Sequence, residues 1–142
     1  MTDLRTIFYV DDDYDDLEFF KDAVNLLNRP VKVFSLGEEL LRQLHNPPPS
    51  PSIIFLDLNM PVKSGIDVLK EIRKYDEFKK LPIIVFSTTN NPDTIRKTKE
   101  MGADLFVTKP PTIQKIRKCV EGVLNIEWDS FVRDDKHFLF KY

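Results

Sequence analysis

The chain has 142 residues, 42% of them hydrophobic and 31% charged, with a net charge of −2. That is the size and balance of one soluble globular domain. So slight an acidic excess gives no reason to expect a nucleic-acid or membrane partner, and a single cysteine, Cys119, excludes an intramolecular disulfide and a cysteine-based metal cluster.

Arg5 to Val10 is β-branched and aromatic and predicts a first strand, which stops at Asp11-Asp12-Asp13. Asp13 suits a helix N-cap, and Asp15, Asp16 and Glu18 load the first helical turn with the negative charge that a helix dipole favours. Leu17, Phe20, Val24 and Leu27 recur at helical spacing until the break at Asn28-Arg29-Pro30. Val31 to Phe34 predicts a second strand. Ser35 is the expected cap of a second helix, with Leu40, Leu41 and Leu44 on its apolar face. Asn46 to Pro51 is proline-rich and reads as a stiff extended spacer.

Ile53-Ile54-Phe55-Leu56 predicts a third strand buried on both faces. It ends in Asp57, and Asn59-Met60-Pro61 continue as a turn. A carboxylate at the end of a buried strand is costly unless hydrogen-bonded, paired or metal-bound. In open α/β sheets that edge is also where ligands bind. Asp57 is therefore either a cap on the turn or the centre of a site. Lys63-Ser64-Gly65 is the expected turn into a helix faced by Ile66, Leu69 and Ile72.

Pro82 opens a fourth strand, Ile83 to Phe86, which runs into Ser87-Thr88-Thr89. Pro92 is placed to start a fourth helix, in which only Ile95 and Met101 are strongly apolar, and Gly102 ends it. Leu105-Phe106-Val107 predicts a fifth strand that meets Thr108-Lys109-Pro110-Pro111. Ile113, Ile116, Val120 and Leu124 face the last helix, where Cys119 reads as a small, partly buried apolar residue. Strands alternating with helices predict a parallel sheet with right-handed crossovers, in a domain over residues 1–125. Residues 126–142 hold Trp128, Phe131, Phe138, Phe140 and Tyr142. This aromatic extension is expected either to pack back on the domain or to form a partner surface. With one cysteine, no leader and no membrane-length apolar run, the expected location is the cytoplasm.

In a parallel sheet the strand ends share one edge, so Asp11, Asp12, Asp57, Ser87 and Lys109 should converge. Three carboxylates repel unless protonation or a cation relieves them, and hard oxygen donors suit Mg²⁺. Lys109 offers a point charge and Ser87 a hydroxyl to phosphoryl oxygens. Asp57 is then a carboxylate nucleophile able to form an acyl phosphate. Each residue alone has a plainer role: a helix cap for Asp11 or Asp12, a turn for Ser87 and Thr88, a surface charge for Lys109. Their joint placement at strand ends points to phosphoryl chemistry.

Val10-Asp11-Asp12, Leu56 to Pro61 with Gly65, Pro82 to Ser87, and Gly102-Ala103-Asp104 running to Lys109-Pro110 resemble the receiver domain of two-component response regulators. The resemblance covers about the first 125 residues and implies a CheY-like, flavodoxin-like sheet of order 2-1-3-4-5. It implies that Asp57 takes a phosphoryl group from a histidine kinase or histidine phosphotransfer protein. Mg²⁺ would be bound by Asp12, Asp57 and the backbone carbonyl of Asn59, with Asp11 acting through water. Ser87 and Lys109 would contact the phosphoryl oxygens, beside the loop residues Thr88 and Pro110, the latter joined through a cis peptide. Phe106 would be the aromatic whose rotamer reports the switch. A downstream protein would read the face of the fourth helix, fifth strand and fifth helix, and the extension could support a homodimer.

The resemblance also implies a stand-alone phosphoacceptor rather than an enzyme, limited to self-phosphorylation from small donors and self-dephosphorylation. Thr88 is bulkier than the small residue usual after the switch hydroxyl, and Pro111 stiffens the last loop. A haloacid dehalogenase-type phosphatase would need a second aspartate where Asn59 stands. A flavodoxin-like FMN binder would place hydroxyls and amides where Asp11 to Asp13 lie. A non-phosphorylated scaffold usually lacks the lysine or one of the acids, and here all are present.

Overall fold

The computed structural model describes residues 5–46 and 52–142, so the spacer at 47–51 lies outside the described residues. Five strands, β1 (Thr6–Val10), β2 (Val31–Phe34), β3 (Ser52–Leu56), β4 (Ile83–Ser87) and β5 (Leu105–Thr108), alternate with α1 (Tyr14–Asn25), α2 (Gly37–His45), α3 (Gly65–Arg73), α4 (Pro92–Glu100) and α5 (Ile113–Leu124). The strands pair in parallel in the order β2-β1-β3-β4-β5. This is the doubly wound arrangement expected of strands joined by helical crossovers. Among the described residues no helix is long and apolar enough to cross a membrane.

Side chains alternate between two cores, as the period of a strand dictates. Ile7, Tyr9, Phe55, Ile84, Phe86 and Val107 face α1 and α5, whereas Phe8, Val10, Ile54, Leu56, Val85 and Phe106 face the other side with Leu40, Val68 and Leu69. Phe20 of α1 stacks on Tyr9 with ring centroids 4.2 Å apart and contacts Phe55 at 5.2 Å and Phe86 at 5.6 Å. Cys119 is fully buried in α5 rather than partly. Burial pushes its thiol up to about 12, so it acts as a small apolar residue.

Several local expectations are corrected. β1 begins at Thr6, one residue after Arg5. Ser35 does not cap α2: Leu36 occupies that position without a side-chain cap bond, and the Ser35 hydroxyl donates to Glu39 Oε1 at 3.3 Å. Gly65 is not a turn residue but the first residue of α3, which Ser64 caps in a reciprocal box with Asp67. A Cβ on Gly65 would stand 2.2 Å from the carbonyl oxygen of Asp57, so only glycine allows this approach. α1 stops at Asn25, and Leu27 packs on the core just beyond it.

α4 conforms to its weak pattern, burying only Thr98. Ile95 and Met101 pack partly buried on this part of the core, and the C-terminal extension packs back on the domain beside them. Phe138 is buried against Phe106, with ring centroids 6.5 Å apart. The Phe106 N–H donates to the Phe138 carbonyl and the Phe140 N–H donates to the Phe106 carbonyl, both at 2.8 Å. Together they form a parallel bridge between Phe106 and Leu139.

Candidate functional site

The sheet register brings the acids together. Val10 lies opposite Leu56, so the next residues, Asp11 and Asp57, leave adjacent strands side by side. The Asp57 N–H closes the pair by donating to the Val10 carbonyl at 3.1 Å. Asp11 and Asp57 are buried, while Asp12 is exposed. One carboxylate oxygen from each of the three lies within 4.8 Å of the other two. Asp13 turns away to cap α1, accepting from the Asp16 N–H at 3.1 Å.

Ser87 pairs with Thr108 in the β4–β5 register, which sets Lys109 one residue beyond. The Lys109 N–H donates to the Ser87 carbonyl at 2.8 Å. Its Nζ lies 2.7 Å from Asp11 Oδ2, 2.8 Å from Asp16 Oδ2 and 3.4 Å from Asp57 Oδ1. The structure thus gathers Asp11, Asp12, Asp57 and Lys109, with Ser87 tied in through the Lys109 backbone. The Ser87 hydroxyl is buried and accepts from the Thr89 N–H at 3.3 Å. Thr88 and Asn59 are exposed, and Pro110 is buried behind Lys109. Between Asp57 and α3, Val62 holds a positive φ of 66° with its side chain in solvent, a strained backbone for a β-branched residue.

The electrostatics follow from burial. Loss of solvent, then the charge of Asp11, push Asp57 up to about 7, against the opposing pull of Lys109. Burial works against the charge on Lys109, but its hydrogen bonds to Asp11 and Asp16, together with the charges of Asp57 and Asp11, outweigh that and raise its pKa, so it remains a cation. The buried Tyr9 hydroxyl donates to Asp11 Oδ2. Burial and then Asp11 raise Tyr9 well above the usual phenol range, so it remains a donor. Asp11 also takes the Asp13 N–H on Oδ1 at 3.0 Å. The protein therefore occupies both oxygens of Asp11. Among the described residues no side chain or backbone N–H is bonded to Asp12, which keeps its lone pairs for another ligand. Hard oxygens from three carboxylates, with one lysine among them, fit a small divalent cation such as Mg²⁺.

Two residues of this arrangement were missed by the sequence reading. Asp16 looked like a dipole-favoured acid of the first helical turn, although that turn starts beside the strand-end acids and so at the same edge. Tyr9 looked like a core aromatic, although strand alternation puts it on the same side as Asp11, two residues on.

A family model described as the response regulator receiver domain matches residues 7–121. Response regulator Rcp1 of Synechocystis is 35% identical over 75 residues, 53% of this chain and 51% of that protein. The chain spans about half the length of curated relatives such as this one. The solved structure of the phosphorylated cyanobacterial phytochrome response regulator RcpA superposes with a TM-score of 0.75 at 27% identity, over 90% of this chain and 96% of that one. The Mn²⁺-bound form of Rcp1 shares the fold, with a TM-score of 0.72 at 23% identity over 92% of this chain and 99% of that one. Phosphorylation of an aspartate and binding of Mg²⁺ are general to receiver domains. With the match running from β1 into α5, the chain belongs to the response regulator receiver domains of two-component systems.

Proposed function

We propose that Asp57 accepts a phosphoryl group from a histidine kinase or histidine phosphotransfer protein, in a cytoplasmic phosphorelay. The observation that carries this reading is the buried Asp57 carboxylate at the end of β3, with Lys109 Nζ 3.4 Å away. An ionised Asp57 oxygen attacks the phosphorus of a phosphohistidine. The P–N bond breaks, and its electron pair stays on the ring nitrogen, which then takes a proton. Asp12, Asp57 and the Asn59 carbonyl would hold Mg²⁺, which when bound would neutralise charge on the phosphoryl oxygens.

The chain's own residues prepare the transfer. Asp11 and Asp16 hold Lys109 at the edge of the site, ready to meet a phosphoryl oxygen. Asp11, whose two oxygens already accept from Tyr9, Lys109 and the Asp13 N–H, suits a role through water better than direct ligation. The new charge on Asp57 draws the Ser87 hydroxyl inward and lets Phe106 change rotamer. That alters the α4–β5–α5 face, which a downstream protein reads. The chain works as a phosphoacceptor, with no turnover beyond self-phosphorylation from small donors and self-dephosphorylation.

Intact mass after incubation with acetyl phosphate tests this reading on wild type and Asp57→Asn, with and without Mg²⁺. The expected result is one Mg²⁺-dependent phosphoryl adduct that is absent from the variant. If acetyl phosphate, a panel of histidine kinases and beryllofluoride all leave the wild type unchanged, a non-phosphorylated scaffold replaces this reading.

A further inference from the structure

The last strand of an open sheet normally presents unpaired backbone groups to solvent. In this chain both backbone groups of Phe106 are taken by Phe138 and Phe140. Residues 131–140 lie across α4, β5 and α5. Arg133 Nε pairs with Asp104 Oδ1 at 3.0 Å, while Arg73 holds the other Asp104 oxygen at 2.9 Å. Asp135 pairs with Lys99 of α4. Phe140 packs on Gly122 of α5, where an added Cβ would stand 3.2 Å from its ring.

The extension has little internal structure of its own. Between α5 and Phe138 it forms only two short 3-10 turns, Trp128–Ser130 and Asp135–His137. The side chain of Asp135 is 86% exposed, and an ion pair so exposed stabilises little, while Arg133, 40% exposed, shares the Asp104 carboxylate with Arg73. Trp128, Phe131 and Phe140 pack on the core at the α5 side, and what seats the segment on the β5 edge itself is the buried Phe138 ring and two backbone hydrogen bonds. That is how a peptide adds a strand to a sheet edge: the main chain supplies affinity and a side-chain pocket supplies selectivity.

We propose that the outer edge of β5 around Phe106 is a strand-docking surface, occupied at rest by Phe138-Leu139-Phe140. The partner that reads it is a protein with an extended segment running parallel to β5. That segment places an aromatic side chain where Phe138 sits and a basic residue upstream, facing Asp104. The proposal rests on the reading of α4–β5–α5 as the output face, and it names the partner's chemistry there. The tether gives the chain's own segment a high effective concentration, so a free segment gains access only when the resident one is weakened. A rotamer change of Phe106 removes the ring against which Phe138 packs, and so weakens it.

The test uses the full-length chain and, as probe, a fluorescent synthetic peptide copying residues 131–142, with neither Mg²⁺ nor a phosphodonor present. Phe138→Asp ejects the resident ring, and Arg133→Glu, at a more exposed position, breaks the Asp104 pair with less risk to the fold. Fluorescence anisotropy should show the peptide binding Phe138→Asp about tenfold or more tighter than wild type, with Arg133→Glu in between. The Phe106 amide should exchange faster in both variants and recover protection when peptide is added. A peptide carrying Asp at the Phe138 position should not bind. Should the peptide bind neither variant, or Phe106 stay as protected in the variants as in wild type, the docking surface is refuted. Mg²⁺ with beryllofluoride is then added to wild type. If the variants bind peptide but beryllofluoride does not raise wild-type binding, the surface stands and its link to Asp57 fails.

Discussion

α1 and α4 flank opposite halves of the same sheet, and they are held in different ways. α1 drives Leu17, Phe20, Ala23 and Val24 into the core, with Phe20 among Tyr9, Phe55 and Phe86. α4 buries only Thr98, whose hydroxyl donates to the Ile95 carbonyl at 2.7 Å. The α4 half relies on other contacts: the Asp104 carboxylate, which takes Arg73, Arg133 and the Ile83 N–H, and the ring of Phe138. The α1 half is thus fixed by apolar area, which resists small movements. The α4 half is fixed by a few polar contacts and a returning segment, which can be exchanged one at a time. A receiver that changes shape at a distance needs both kinds.

The largest effect should come from Phe20→Ala, which removes the ring at the centre of the α1 side and should cost about 3–5 kcal/mol in a denaturant melt. A loss as small as that expected for α4 substitutions would erase the contrast. Asp104→Ala should cost about 3 kcal/mol, because it strands the buried Ile83 N–H and leaves Arg73 without its carboxylate. If this variant melted like wild type, the α4 half would owe its stability to apolar packing after all.

Asp57→Asn sharpens the comparison at the charged edge. Asp57 rises from an ordinary 3.8 to about 7 in the folded chain, so the native state binds a proton that the unfolded state releases. The stability that comes from a neutral Asp57 is complete at low pH and is lost as pH rises toward about 7. The asparagine variant should therefore be stabilised relative to wild type, by about 3 kcal/mol more at pH 8 than at pH 5. Urea melts at the two pH values would expose a constant or reversed difference. The smallest effect is expected from Ile95→Ala on α4, about 1 kcal/mol or less, together with amide exchange in α4 that outpaces exchange in α1.

The alternating strands and helices were legible because each announces itself by a local period. Strand ends then placed Asp11, Asp12, Asp57, Ser87 and Lys109 on one edge without any long-range information. The errors fall where a choice depends on space rather than pattern. Ser35 looks like a cap, but α2 starts two residues later at Gly37, where a Cβ would meet Val68 at 2.5 Å. Gly65 looks like a turn residue because its helix start is dictated by the neighbouring Asp57 carbonyl. Nor does any period mark the bridge from Phe106 to Leu139, since a single paired residue in an aromatic-rich tail has no repeat to read. The sharing of Lys109 with Asp16 joins residues 93 apart in the chain and is visible only in three dimensions.

Cys119 carries a practical consequence. It is the chain's single cysteine and is sealed beneath the last helix. Alkylating reagents consume the thiolate, and here that species forms only when α5 lifts away and water reaches the sulfur. The rate of alkylation in the native protein is thus a clock for that opening, readable by mass without an introduced probe. A cysteine placed at a solvent-facing position such as Val62 would react long before it, so a dye could be attached at one chosen point while the natural thiol kept time.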